Sequence, residues 1–426
     1  MADMKTIRLG MSGSNIMEIQ ALLKKMGYPI EKLDGTYDEK TENALRMFQK
    51  DYDLSPDGII GPRTYDVLKR FLLGYTTYRL KSSDNLYRIA RRTGTKLEAI
   101  EAANPDLNPA ALPAGRRIVI PYPFDVVDTN INYTYDVLER DIYGLVARYP
   151  FLQAGVAGKS VLNRKLYYLR LGVGSHQVFY NAAHHALEWI TTPVLMKFVE
   201  DFCKGYAFGH SIEGMSPRSI WERSTIYLIP MVNPDGVDLV LNGVTPDNPY
   251  YRDLVAWNMG SSDFSQTWQA NNHGVDLNHN YDAAWEESVK AAAQMGITGP
   301  GPRRYPGPFP ESEPESHTVA AFTRGHDIQL ALSYHSQGRV IFWNFMGMAD
   351  ERARQIGLAL SQDSGYKLEE AEGIASTGGY KDWFVKAYRR PAYTVEVGEG
   401  KNPLPISQFD SIYADNIKML LHAATL

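Results

Sequence analysis

The segment Asn181-Ala-Ala-His184-His185-Ala-Leu-Glu188-Trp189-Ile190 joins an apolar strand to an apolar helix. The helix that follows has Pro193 in its first turn and carries its apolar residues on one face. His185 and Glu188 lie three residues apart at the junction, and both side-chain types bind zinc. Such a pair is weak evidence alone, because many i,i+3 pairs are exposed contacts on helices. The interpretation therefore depends on the surrounding sequence.

The same alternation of strand-like and helical runs extends on both sides of this junction. The predicted strands are 166–171, 178–180, 225–229, 328–332 and 392–397. Alternation of this kind predicts an α/β domain over residues 125–426, with a mixed sheet covered by helices on both faces. In such a sheet we expect functional residues at strand ends and in the loops beyond them.

Two of these strands supply further candidate residues. His335 stands at the end of a strongly apolar strand, and Glu396 lies within another. A buried glutamate is costly unless it is paired or functional, and the alternative here is an ion pair with a buried arginine. Zinc catalysis requires three ligands, an open fourth position and a nearby base. We interpret the neighbouring His184 as a packing or supporting residue, because only His185 has the right spacing to Glu188.

The first 74 residues contain a doubled pattern. Asp34-Gly35-Thr36-Tyr37 precedes one helical run, and Asp57-Gly58-Ile59-Ile60-Gly61 precedes another. Each Asp-Gly pair suits a turn that contains a left-handed residue. The pattern resembles the type-1 peptidoglycan-binding domain, which implies a small three-helix bundle over residues 5–74. The alternative is a helical bundle of unknown use.

Residues 76–121 have the order strand, helix, helix, strand. Asp84 is predicted to cap the first helix, and Pro105 ends the second, because proline disfavours helical geometry in the residue before it. The returning strand ends at Pro121. This β-α-α-β unit resembles a LysM domain, which implies binding of N-acetylglucosamine-containing glycans; Ser83 replaces a usual glycine. Because LysM domains also bind chitin, this unit alone does not identify the polymer.

The motifs of residues 125–426 resemble, in their order, those of the metallocarboxypeptidase family. They are His185-x-x-Glu188, Asn233-Pro-Asp-Gly236, Gly274-Val-Asp276-Leu-Asn278, Ser312-Glu313-Pro-Glu315, Ser333-x-His335-Ser336 and the Glu396 strand. The resemblance implies one zinc ion per chain, held by His185, Glu188 and His335. It also implies that Glu396 is the general base for the attacking water.

The sequence departs from true carboxypeptidases of this family, which hold the substrate's terminal carboxylate with an Asn-Arg pair and a mobile tyrosine. Asn278 is present, but His279 stands at the arginine position, and no tyrosine precedes Ala375 where the mobile one is expected. Losing the arginine removes bidentate carboxylate recognition, which histidine does not replace. A simple C-terminal exopeptidase is therefore disfavoured.

A second arginine, which polarises the scissile carbonyl in the family, is also missing near Trp268. We expect His273 or Gln269 to replace it in catalysis, or Arg339 to reach the substrate from another loop. An inactive peptidase domain in a wall-binding protein is the alternative that this departure leaves open.

The segments 379–383 and 396–405 resemble the bacterial branch of the family that cleaves γ-D-glutamyl–meso-diaminopimelate bonds. This branch implies that the active site binds peptidoglycan stem peptides, while the two N-terminal modules bind the glycan strands. By the resemblance, Lys381 lies in the pocket for the leaving side of the substrate, beside Asp382. Two alternatives remain, a carboxypeptidase that trims wall peptides and an amidase or deacylase with other substrates.

Composition excludes several classes of function. The 426 residues carry a net charge of −5 without a basic tail, which argues against nucleic acid as partner. One cysteine excludes an internal disulfide, and no segment predicts membrane insertion. The first residues lack the apolar core of a secretory signal. We expect a wall-associated, spore or extracellular protein, retained in the cytoplasm until lysis or sporulation, unless a signal precedes this sequence.

Overall fold

The computed structural model describes residues 6–371 and 377–426. They form two compact units, one of residues up to 132 with 136–152, and one of residues 133–135 with 153–426. Residues 136–152, beyond the boundary at 125 expected from the sequence, thus group with the first unit. Among the described residues, no helix combines the length and apolar character that crossing a membrane requires.

Three helices open the first unit: α1 (Ser14–Lys25), α2 (Glu39–Asp51) and α3 (Pro62–Leu72). Asp38 caps α2, because its side chain accepts a hydrogen bond from the backbone N–H of Thr41 at 2.8 Å. The apolar faces of the helices meet in one buried core, which includes Ile16, Ile19, Leu23, Leu45, Phe48 and Leu68. The three-helix module predicted from the sequence is confirmed.

Two buried glutamines hold the two Asp-Gly turns of this module in the same way. The amide of Gln49 donates to Asp57 Oδ1 at 2.8 Å and Thr64 Oγ1 at 3.2 Å, and accepts from Gly58 N at 2.9 Å. Gln20 makes the same set of bonds to the aspartate, threonine and glycine of the first turn. The doubled sequence pattern is therefore a doubled hydrogen-bond pattern.

The LysM-like segment consists of β1 (Tyr75–Arg79), α4 (Leu86–Thr93), α5 (Leu97–Ala103) and β2 (Arg117–Pro121). The two strands pair in antiparallel register. Apolar residues of the helices and strands, among them Ile89, Ile100, Ile118 and Ile120, form a separate small core. The β-α-α-β order predicted from the sequence is confirmed.

The predicted cap of α4 is wrong by one residue. Asn85 caps the helix, since its Oδ1 accepts from Arg88 N at 2.8 Å. Asp84 instead closes the preceding turn by accepting from Lys81 N at 2.7 Å and from Tyr78 Oη at 2.9 Å. Both residue types cap helices well, so local sequence does not distinguish them.

The remaining elements follow in chain order. The helices are α6 (Tyr135–Arg148), α7 (Thr191–Phe208), α8 (Pro217–Arg223), α9 (Pro234–Asn242), α10 (Tyr251–Trp257), α11 (Trp285–Gln294), α12 (Pro314–Arg324), α13 (Glu351–Ser364), α14 (Tyr380–Tyr388) and α15 (Phe409–Ala423). The strands are β3 (Gln153–Lys159), β4 (Lys165–Leu171), β5 (His176–Ala182), β6 (Ser224–Ile229), β7 (Ile328–His335), β8 (Val340–Phe342), β9 (Lys367–Glu369) and β10 (Ala392–Glu396).

These eight strands form one mixed sheet in the order β3-β4-β6-β5-β7-β10-β8-β9. Its central strands β6, β5, β7 and β10 run parallel, so their carboxyl ends meet at one edge. Alternate residues of β5 pack on helices of opposite faces: Phe179 contacts Phe322 of α12, whereas Tyr180 contacts Phe198 of α7. The predicted mixed sheet with helices on both faces is confirmed.

Candidate metal centre

Three side chains of metal-binding type converge at the carboxyl edge of the central strands. His185 follows β5 closely, Glu188 lies in a short 3-10 turn after it, and His335 is the last residue of β7. One ligand atom from each lies within 4.8 Å of the others. Because β5 and β7 are neighbouring parallel strands, residues 150 positions apart in the chain meet at this edge. The structure thus brings together the three predicted zinc ligands.

The donor chemistry of this cluster fits a cation. Glu188 Oε1 lies 2.9 Å from His185 Nδ1, and Glu188 Oε2 lies 2.9 Å from His335 Nδ1. His185 Nε2 lies 3.0 Å from Asp276 Oδ1. If Nε2 donates to Asp276, the Nδ1 of a neutral imidazole is an acceptor that faces another acceptor. A zinc ion held by the two histidines and the carboxylate would satisfy these facing groups.

The electrostatics of Glu188 follow from the same contacts. Burial disfavours its charged form, but His185 and His335 outweigh burial and lower the pKa of Glu188 to about 2. The ionised carboxylate is the form that binds a metal. A cation held at this site would stabilise the ionised carboxylate in place of the two histidine charges.

Glu396 stands beside the cluster, as the family resemblance implies. It is the last residue of β10 and pairs in register with His335 of β7. Burial, and then the nearby charge of Glu188, raise the pKa of Glu396 well above its usual range, against the effect of His185. Glu396 thus keeps its proton in the metal-free site, whereas a cation held by the three candidate ligands would favour the ionised form that a base requires.

His184 packs behind the ligands. It is fully buried, its Nε2 lies 2.8 Å from Tyr281 Oη, and its ring stacks on His335 with centroids 5.7 Å apart. Burial, together with His335 and His185, lowers the pKa of His184 well below its usual range. A neutral, buried ring agrees with the packing role expected from the sequence.

Sequence reasoning assigned no role to Asp276, although it quoted the motif that contains it. Asp276 is buried, and besides His185 it accepts a hydrogen bond from Arg304 N at 2.8 Å. A carboxylate that orients a metal-binding histidine is a common supporting feature of zinc sites. The available signal was an acidic residue between two apolar ones, Val275 and Leu277.

Three of the four predicted substrate-binding residues meet at the start of α14. Asn278 Oδ1 accepts from Tyr380 N at 3.1 Å, and His279 Nδ1 lies 3.0 Å from the carbonyl of Thr377. Lys381 is only 3% exposed, and its ammonium donates to Asn344 O at 2.7 Å and to Asp382 Oδ1. The Lys381 side chain therefore points into the protein and not into solvent.

Arg339 and His273 are engaged elsewhere. Arg339 pairs with Asp415 and lies over the ring of Tyr366, 5.0 Å from its centroid. His273 Nδ1 lies 2.8 Å from Glu313 Oε2, and its Nε2 lies 3.1 Å from Tyr250 Oη. The catalytic and binding roles expected for His273 and Arg339 stay predictions.

Gln269, the other candidate for the missing arginine, is attached to the ligand segment. The main-chain carbonyl of Gln269 accepts a hydrogen bond at 3.0 Å from the backbone N–H of Ala186, the residue directly after His185. The prediction that no mobile tyrosine precedes Ala375 falls on residues 372–376, which lie outside the described residues.

Comparison with protein families finds three matches along the chain. Residues 138–419 match the zinc carboxypeptidase model of peptidase family M14, residues 12–68 match a putative peptidoglycan-binding domain, and residues 78–121 match the LysM domain. The two N-terminal modules predicted from the sequence are thereby confirmed. Modules of these families support association of the chain with peptidoglycan and the cell wall.

Among curated proteins, gamma-D-glutamyl-L-diamino acid endopeptidase 1 of Lysinibacillus sphaericus is 40% identical over 296 residues, 70% of this chain and 73% of that protein. Uncharacterized protein YqgT of Bacillus subtilis (strain 168) is 33% identical over 331 residues, 77% of this chain and 84% of that protein. The solved structure of thrombin-activatable fibrinolysis inhibitor has a TM-score of 0.54 at 16% identity, covering 83% of this chain and 98% of its own. That last likeness concerns the fold alone.

Proposed function

Because the chain belongs to the zinc carboxypeptidase (M14) family of metallopeptidases, we propose that it hydrolyses the γ-D-glutamyl–meso-diaminopimelate bond of peptidoglycan stem peptides. The relative from Lysinibacillus sphaericus, whose name denotes a γ-D-glutamyl-L-diamino acid endopeptidase, supports this choice of bond. Two modules of wall-binding type on the same chain support the choice of polymer.

The observation that carries the proposal is the replacement of the carboxylate-binding arginine by His279. Its Nδ1 is directed at the Thr377 carbonyl, so at most one ring nitrogen serves a substrate. A single imidazole nitrogen does not provide the two parallel bonds of a guanidinium. A chain with this replacement is poorly suited to hold a free terminal carboxylate, which an exopeptidase requires and an endopeptidase does not.

In the proposed reaction His185, Glu188 and His335 hold the zinc ion. Zinc bound there lowers the pKa of water from about 15.7 toward about 7. Glu396 accepts the proton of the attacking water and donates it to the leaving nitrogen, a transfer its place beside His335 supports. Gln269, His273 or Arg339 polarises the scissile carbonyl, and the main-chain bond that joins Gln269 to Ala186, directly after His185, supports Gln269.

Binding to the leaving side of the substrate is assigned to Asn278, His279 and Lys381. Their contacts at the start of α14 support treating them as one group. Diaminopimelate carries both an ammonium and a carboxylate at its free end, and the buried Lys381–Asp382 pair offers a partner for each. Attachment to the wall through the N-terminal modules raises the effective substrate concentration to about the millimolar range.

Product analysis on a soluble muropeptide with a tetrapeptide stem tests the proposal. The zinc-loaded full chain is expected to release the dipeptide diaminopimelyl-D-alanine, and a chelator is expected to stop the release. Release of free D-alanine instead identifies a carboxypeptidase. No hydrolysis, with zinc bound and peptidoglycan still retained in a sedimentation assay, identifies an inactive wall-binding protein. Either result contradicts the proposed reaction.

A further inference from the structure

The segment after β10 folds back onto the peptide that follows the zinc ligand His335. Asn402, in this segment, donates from Nδ2 to the carbonyl of Ser336 at 2.7 Å. In return the hydroxyl of Ser336 donates to Asn402 Oδ1 at 2.8 Å. One side-chain amide is thus joined to both the main chain and the side chain of Ser336, which fixes the orientation of that amide.

The same amide reaches the metal ligand Glu188. Asn402 Nδ2 lies 3.4 Å from Glu188 Oε1, and the backbone N–H of Ser336 lies 3.3 Å from Glu188 Oε2. Each carboxylate oxygen therefore has one histidine Nδ1 and one N–H donor beside it. Donors beside both oxygens restrict rotation of the Glu188 carboxylate. A restricted carboxylate keeps the orientation that it needs to bind a metal together with His185 and His335.

Backbone bonds join the two segments at the same place. Val397 N donates to His335 O at 2.9 Å, and Gly338 N donates to Gly398 O at 2.9 Å. The strand end that carries the base Glu396 is thereby attached to the strand end that carries the ligand His335. Asn402 adds a side-chain contact to this connection, because it bonds to Ser336 and lies next to Glu188.

We propose that Asn402 is a positioning residue of the metal centre, which orients Glu188 and holds the peptide after His335 against the segment that follows Glu396. The inference rests on the proposed function in one respect, that the three ligands hold zinc. Outer partners of metal ligands typically contribute 10- to 100-fold to metal affinity. Asn402 is partly exposed, so removing it leaves the buried core of the sheet intact.

The test compares Asn402→Leu with the wild type in the full chain. Leucine has a similar shape and makes no hydrogen bond, so zinc affinity, measured by competition with a chelator, is expected to fall roughly 10- to 100-fold. The thermal midpoint of the zinc-free protein is expected to stay the same. Lys401→Ala, an exposed neighbour in the same segment, is the matched control and should bind zinc as the wild type does.

Ser336→Ala distinguishes the two contacts of Ser336. It removes the hydroxyl that donates to Asn402 and keeps the backbone N–H that faces Glu188. We expect a smaller loss of zinc affinity than in Asn402→Leu, and no additional loss in the double variant. Asn402→Leu binding zinc within twofold of the wild type overturns the inference. The inference is also overturned if zinc-free Asn402→Leu is less stable than the wild type while its zinc affinity is unchanged, since the role of Asn402 is then structural. A wild type that binds no zinc overturns the proposed function itself.

Discussion

Two regions of the molecule bury polar side chains with opposite outcomes. In the N-terminal module Gln20 and Gln49 are almost fully buried, and the amide of each is bonded to its own Asp-Gly turn by both its nitrogen and its oxygen. At the metal centre the buried His335 Nε2 and His184 Nδ1 have no hydrogen-bond partner among the described residues. Buried polar groups normally have partners, and each exception requires an explanation.

The difference separates structure from function. A side chain whose hydrogen bonds are all made within the protein stabilises a turn and has nothing left to offer a ligand. A side chain that keeps a buried polar atom without a partner within the protein still has that atom to offer to a ligand. Substitutions in the first region should therefore reduce stability, whereas substitutions in the second should reduce metal binding or turnover and leave stability almost unchanged.

The largest effect is expected for Glu396→Gln. Glutamine is nearly isosteric and cannot accept the proton, so kcat on a soluble muropeptide should fall by about 10²- to 10⁴-fold. Zinc content and the thermal midpoint should stay at wild-type values, because Glu396 is not one of the three candidate ligands. His335→Ala is the matched control and should lose most of the zinc as well. Wild-type kcat in Glu396→Gln would show that the base lies elsewhere.

A buried acid outside both regions sharpens the comparison. Glu315 is fully buried and has hydrogen bonds on both oxygens, from Val161 N at 3.0 Å and from Asn271 Nδ2 at 3.1 Å. Even so, burial and the nearby Asp235 raise the pKa of Glu315 from 4.5 to about 8. Hydrogen bonds alone do not make a buried charge favourable.

The sign of the pH dependence follows from this raised pKa. Between pH 4.5 and 8 the folded chain keeps a proton on Glu315 that the unfolded chain has released. The stabilisation from this group is therefore complete below pH 4.5 and decreases until pH 8. Relative to Glu315→Gln, the wild type should therefore lose stability steadily as the pH rises from 5 to 8, by roughly a few kcal/mol in total. Chemical unfolding of both metal-free proteins at several pH values measures this difference, and a constant difference would contradict it.

In the N-terminal module, Gln49→Ala should lower the free energy of unfolding by about 3 kcal/mol, because it leaves several buried donors and acceptors unpaired. The local measurement is hydrogen exchange of the Gly58 amide, which donates to Gln49. Gln20→Ala should have a similar effect at Gly35, and the exposed Gln294→Ala should have none. Hydrolysis of soluble muropeptides should not change; a fall in kcat would show that the module contributes to the chemistry.

Within the eight-stranded sheet, the sequence predicted the strands that carry long apolar runs and not the others. β4, β5, β6, β7 and β10 were all predicted, since each is rich in aromatic or branched residues. β3 was not, because its sequence Gln-Ala-Gly-Val-Ala-Gly-Lys has little strand propensity. β8 and β9 have only three residues each, too few to show a period. Such strands form because a neighbour supplies their hydrogen bonds.

The same limit applies to the site. The three candidate ligands, which the structure brings together, and Glu396 were singled out from the sequence because they occur in an order that resembles a known family. Asp276 and Asn402 were not, since their partners His185 and Glu188 lie 91 and 214 positions away in the chain. Contacts at that separation are set by the order of strands in the sheet, which local patterns do not reveal.

Lys381 shares features with both kinds of buried side chain: some of its hydrogen bonds are made within the protein, and one donor remains for a ligand. Its ammonium is bonded to Asp382 and to the Asn344 carbonyl, which uses two of its three N–H donors among the described residues. We expect the third donor to bind the carboxylate at the free end of diaminopimelate. A lysine stem peptide lacks this carboxylate and places an ammonium there instead. A charge-assisted hydrogen bond contributes about 1.5–3 kcal/mol, which is roughly 10- to 150-fold in kcat/KM.

The smallest effect is expected for Lys381→Met, as a change in the preference between two substrates. The wild type should favour the diaminopimelate muropeptide over the matched lysine muropeptide by that factor, and in Lys381→Met the ratio of the two kcat/KM values should fall toward one. Methionine leaves the buried Asp382 without its cation and lowers stability. Because both substrates are assayed on the same variant, that loss cancels in the ratio. An unchanged ratio would show that Lys381 is a buried structural cation, satisfied like the glutamines of the N-terminal module, and does not read the substrate.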